Sequence, residues 1–70
     1  MLWWFERGGR HTQVEVLHLV NGRYELRVLD ADGREHVETF DDPAELAKRQ
    51  QAVHDDLVAQ GWKRSGEWLL

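Results

Sequence analysis

Residues 12–20 read TQVEVLHLV and run straight into Asn21 and Gly22. The stretch is rich in β-branched and aliphatic residues and reads as a strand. Its aliphatics fall on both parities, with Val14, Val16 and Val20 on one and Leu17 and Leu19 on the other. Successive side chains of a strand point to opposite faces, and a sheet with one solvated face should show polar residues on one parity. This strand is apolar on both. Which parity lies under the rest of the chain decides both the core and the surface left uncovered.

Working outward, Asn21-Gly22 is a strong hairpin signal, because a type I′ turn needs positive φ at both central positions. A strand over 23–29 follows, with Tyr24, Leu26 and Val28 at period two. Residues 30–33, DADG, form the next turn, and 34–40 form a fourth strand. Upstream, LWWFER at 2–7 is a strand broken by Gly8 and Gly9. Downstream, Asp42 is the expected N-cap of a helix over 43–60, with Pro43 at its first position and Glu45 completing an Asp version of the capping box. Gly61 supplies the left-handed C-cap position. Leu46, Val53 and Leu57 form a narrow apolar stripe, with Ala47, Gln50 and Val58 at its margins. Trp62 is expected to anchor the helix end. Residues 67–70 form a short fifth strand or a docked tail. The fold class is therefore α+β, a single domain over 1–70: a four-stranded antiparallel meander with one C-terminal helix on one face.

Turn length sets which parity the helix covers. A two-residue loop at Asn21-Gly22 pairs Leu17 with Leu26 and leaves Val14, Val16, His18, Val20 and Leu29 on the far face. A three-residue loop with a bulge at Gly22 instead puts Val14 and Val16 with Leu26 and Val28, and sends Leu17 and Leu19 to the far side with Leu29. Likewise, a two-residue loop at 30–33 groups Val37 with Val28, and a Gly33 bulge groups Phe40 with Tyr24. In either register one helix covers one face only, so aliphatic side chains remain on the other. Contiguous exposed apolar area of that kind marks binding or subunit interfaces. Trp3 and Trp4 divide the same way, one toward the helix and one away from it.

The chain has 70 residues and no cysteine, which rules out disulfides and thiolate zinc sites. A chain of this size buries only about 60% of its unfolded surface, so a partner subunit is an expected source of stability. No apolar run approaches the roughly 20 residues that span a bilayer. No basic region precedes the short apolar start, so a cytoplasmic location is expected. Net charge is −4. Charges balance through Arg34, and the excess of acids lies beyond it. Nucleic-acid affinity depends largely on phosphate neutralisation, which an acidic chain serves poorly.

Little here carries chemistry. His11, His18, His36 and His54 include no pair at metal-ligand spacing. His54, Asp55 and Asp56 are adjacent, but neighbouring helix positions do not face each other, so they read as a solvated polar face. Ser65, Thr12 and Thr39 lack a nucleophile-elbow context. No catalytic residue, metal site or cofactor is expected.

The ββββα order resembles the small single-stranded nucleic-acid-binding modules of the PC4, Whirly and PUR type, which pair into dimers. The resemblance is one of element order and carries no residues across. It implies an alternative role in binding single strands, for which the sequence itself offers Trp3 or Trp4 with Arg7, Arg10 and Arg27. The leading expectation is a non-enzymatic homodimer or protein-interaction module. Its interface would be Trp4, Val14, Val16, His18, Val20 and Leu29 under the two-residue turn.

Overall fold

The computed structural model describes residues 1–68. Its strands are β1 (Leu2–Arg7), β2 (Arg10–His18), β3 (Tyr24–Leu29), β4 (Glu35–Phe40) and β5 (Lys63–Trp68), with one helix, α1 (Pro43–Ala59), between β4 and β5. They form a single five-stranded antiparallel sheet in the spatial order β4-β3-β2-β1-β5. The α+β meander with its helix is as the residue pattern predicts. The C-terminal strand is real but starts at Lys63 and pairs with β1. Of the segment expected at 67–70, residues 69 and 70 lie outside the described residues.

Three turns set the register, and two of them differ from the simplest reading. Arg7 pairs with Arg10, so Gly8 and Gly9 are a two-residue turn with φ of 57° and 79°, both positive as type I′ requires. Asn21-Gly22 is not such a turn. The Leu19 N–H donates to the Arg23 carbonyl at 2.8 Å and the Gly22 N–H to the Leu19 carbonyl at 3.1 Å. Of the loop residues 20–22, Gly22 alone has positive φ. This is a three-residue loop closed by a glycine bulge. The Asn21 side chain accepts from the Arg23 N–H at 3.1 Å and stiffens it. Residues 30–34 repeat the device, with Asp30 N–H to Arg34 carbonyl at 2.9 Å and Gly33 at φ 83°.

The bulged register puts Val14 opposite Val28 and Val16 opposite Leu26. It also places Phe40 opposite Tyr24. The physical reason lies further up β2. A two-residue turn would have set Glu15 opposite Val28 beneath the helix, and an unpaired buried carboxylate is far costlier than an exposed leucine. With the bulge, Thr12, Val14 and Val16 take the covered side and Gln13 and Glu15 stay at the surface.

The covered side joins Trp3, Phe5, Val14 and Leu26 of the sheet to Leu46 of α1 and to Trp62, with Val53 and Leu57 packed against them. Asp42 caps α1, its carboxylate accepting from the Ala44 N–H at 2.9 Å. At the other end the Trp62 N–H donates to the Leu57 carbonyl and the Gly61 N–H to the Val58 carbonyl, both at 3.0 Å. These are the two bonds of a Schellman cap, with Gly61 at φ 90°. Arg7 then closes the helix end from β1. It donates to the Gln60 carbonyl at 2.8 Å and lies 4.7 Å above the Trp62 ring. A cation at the negative end of a helix is favourable, and its aromatic contact adds to that.

Candidate functional site

The face turned away from α1 has a defined layout. The registers align Leu29, Gln13 and Trp4 in one row across β3, β2 and β1. The next row is Val37, Arg27, Glu15 and Leu2, and a third begins Thr39, Glu25 and Leu17. Apolar side chains therefore flank a charged centre. Leu29 is 38% exposed and Val37 46%, while Leu2, Trp4 and Leu17 are half-buried. The Trp4 ring lies over Gly66 of β5, where an added Cβ would stand 3.2 Å from Trp4 Cε3. Glycine at that position lets the indole lie flat across the neighbouring strand.

The charged centre is acidic. Arg27 binds Glu25 through its Nε, and its Nη1 is 3.9 Å from Glu35. The Glu25 contact, first, and the fields of Glu35 and Glu15 raise the Arg27 pKa above its ordinary value. Three carboxylates thus share one guanidinium.

Of the residues expected at an interface, Trp4 and Leu29 stand on this open face. Val14 and Val16 do not, because the bulge at Gly22 turns them under the helix, where Val14 is 0% exposed. His18 shares that covered side and stacks on Tyr24 at 4.7 Å between centroids. Val20 is fully exposed within the loop. Leu2, Leu17 and Val37 complete the open face in their stead. The signal for this was the polar pair Gln13 and Glu15 on the parity of Leu17.

The residues considered for stacking on nucleic acid are not brought together. Trp3 is buried in the core and Trp4 lies on the opposite side. Arg7 is held at the helix end, Arg10 binds Asp32 at 2.6 Å, and Arg27 sits among its glutamates.

No family model, curated protein or solved structure matches this chain.

Among the described residues, no group of three or more His, Asp or Glu side chains is placed to hold a metal ion, and no helix is long and apolar enough to cross a membrane. Between α1 and the β3–β4 end of the sheet lies a groove of about 280 Å³, lined in part by Leu26, Val28, His36, Glu38, Arg49 and Val53. Its charge is internally paired, since Arg49 Nε donates to both Glu38 oxygens at 3.0 Å.

His54 departs from the solvated reading. Asp55 and Asp56 are exposed, but the imidazole turns inward and meets Trp3 and Phe5 edge-on at 4.9 and 5.2 Å. Its position eight residues after Leu46 puts it on the stripe of Val53 and Leu57. Its Nε2 is buried without a hydrogen-bond partner. Burial, first, and then the charge of Arg64 hold the His54 pKa below 6.5, against a smaller opposing pull from Asp55. The folded state therefore favours the neutral ring, while the unfolded chain protonates it near 6.5. This contribution to stability is fully present above pH 6.5 and is lost as pH falls through the depressed value. The melting temperature should drop across that window, and His54→Phe should flatten the drop. Asp30, whose pKa is lowered first by the hydrogen bond from the Arg34 N–H, contributes stability that is lost as pH falls below 3.8, and His54→Phe leaves that contribution in place. An equally steep fall in the variant would place the acid sensitivity elsewhere.

Proposed function

We propose that this domain is a non-catalytic protein-interaction module whose contact surface is the open sheet face. The observation that carries the reading is the flanking of an acidic centre by Leu17, Leu29 and Val37, on a side of the sheet that α1 does not cover. Apolar rims supply the burial that drives association, and carboxylates in excess of their one guanidinium select the partner's charge. Face-to-face pairing of two copies would set six glutamates against two arginines, counting Glu15, Glu25, Glu35 and Arg27 from each. Desolvating uncompensated charge in that way is unfavourable. The partner for this face is a protein surface or segment bearing both lysine or arginine and apolar side chains.

A doubly substituted chain, Leu17→Asp with Leu29→Asp, tests the reading, because both side chains stand on the open side. Immobilised wild-type and variant chains are compared for what they retain from cell extract. The expected result is a protein that binds the wild-type chain, elutes as salt rises and is lost on the variant. Equal retention by both chains at every salt concentration would reject the open face as the contact surface.

A further inference from the structure

The two edges of the sheet are unlike. β5 is interrupted by a bulge opposite Trp4 and Phe5, and carries Lys63 and Arg64. Bulges and basic side chains are how sheet edges avoid pairing with other chains. β4 has no bulge and no lysine, arginine or proline, and its two glutamates are turned away from the outer edge. Its sequence EHVETF contains no proline, lysine or glycine, its register with β3 is unbroken over all six residues, and the first five residues are exposed. Its charged side chains point inward along the sheet or up to the helix: Glu35 toward Arg27, His36 toward Asp30 at 3.5 Å, and Glu38 to Arg49.

The backbone polarity of this edge follows from the turn. Asp30 and Arg34 close the hairpin as a hydrogen-bonded pair. Bonded and non-bonded pairs alternate along an antiparallel ladder, so His36, Glu38 and Phe40 bond to β3. Glu35, Val37 and Thr39 direct their N–H and C=O groups outward.

We infer that β4 is a pairing edge for a second copy of this chain, forming a two-fold, ten-stranded antiparallel sheet centred on Val37. The sequence selects that register. Side chains directly opposite must share a face, so the two-fold axis passes through a residue and not between residues. Centring on Val37 sets Val37 against Val37 of the second copy, His36 against Glu38, and Glu35 against Thr39. No like charges meet: Glu35 to Thr39 pair with one another, and Phe40 falls opposite Arg34 of the turn. Centring on Glu38 opposes two glutamates and brings Glu35 against Asp41. Centring on His36 opposes two imidazoles and leaves Thr39 and Phe40 beyond the paired stretch. In the Val37 register the open faces of both copies become one surface, with the two valines at its seam.

Val37 belongs to both this edge and the open face, so the two readings are separated by readout: self-association tests the edge, and partner retention by the Leu17→Asp, Leu29→Asp chain tests the face. Val37→Pro removes an outward N–H while leaving the β3 ladder intact, a place where an edge strand accepts proline. Light scattering of the wild-type chain at high micromolar concentration should give a dimer. Val37→Pro should weaken it by about thirtyfold, through loss of two symmetry-related hydrogen bonds. Val37→Lys, which sets two cations across the axis, should do the same if the proline variant fails to fold. Register is read by cysteine, since the chain has none of its own. Under mild oxidation Val37→Cys should give a covalent dimer and Thr39→Cys should not. A wild-type monomer, a dimer indifferent to Val37→Pro and Val37→Lys, or equal cross-linking at both positions would overturn the inference.

Discussion

Val14→Asp is expected to leave the chain unfolded at room temperature, while Leu17→Asp, on the same strand, still melts cooperatively. Val14 is sealed between Trp3 on one neighbouring strand and Val28 on the other, at 0% exposure. A carboxylate there has no partner and displaces a packed side chain, a combination of more than about 5 kcal/mol. A domain of this length holds about 4–10 kcal/mol in all. Leu17 points to the other side, opposite Glu25. Aspartate at Leu17 loses part of a half-buried leucine and faces a like charge, which together remove about 1–2 kcal/mol. Under a two-residue turn the outcomes would be reversed, because Leu17 would be the residue beneath the helix. Thermal unfolding followed by circular dichroism distinguishes the cases, and a Val14→Asp chain at least as stable as Leu17→Asp would refute the bulged register.

Trp62→Ala should lower the melting temperature by more than about 12 °C, corresponding to the 3–5 kcal/mol usual for truncating a buried aromatic. The indole is 6% exposed and sits where three structures meet: the Schellman cap of α1, the start of β5, and the guanidinium of Arg7. Its removal empties a core position and also loosens the hinge that returns the chain to the sheet. Arg7→Ala separates these parts. It keeps the indole and deletes the carbonyl bond and the cation contact, for about 1–2 kcal/mol. Should Trp62→Ala shift the transition no more than Arg7→Ala does, the ring is not a core element and β5 is held by its ladder with β1 alone.

Much of this molecule is legible in its letters. Asp42, Pro43 and Gly61 mark the ends of α1 because capping is local chemistry: a short side chain reaches the first free N–H groups, and a residue without Cβ takes the left-handed position. The four-strand order follows from glycine-bearing breaks between β-rich runs, and the apolar excess on both parities of β2 guarantees an uncovered apolar side. What the local pattern does not carry is parity. Asn21-Gly22 is compatible with a two-residue and a three-residue loop, and the difference inverts every side chain of the hairpin. That choice is made by long-range terms: Val14 and Val16 meeting Leu26, Val28 and the helix, and Glu15 kept out of the interior. The same holds for His54, which reads as polar from its neighbours Asp55 and Asp56 but is drawn inward by Trp3 and Phe5 of a strand far away in sequence. Composition and spacing thus determined the elements, their caps and that some apolar side chains stand on the face the helix leaves open. Only packing decided which residues stand on it, because a pleated strand offers two equivalent sides and burial across the whole sheet sets which one turns inward.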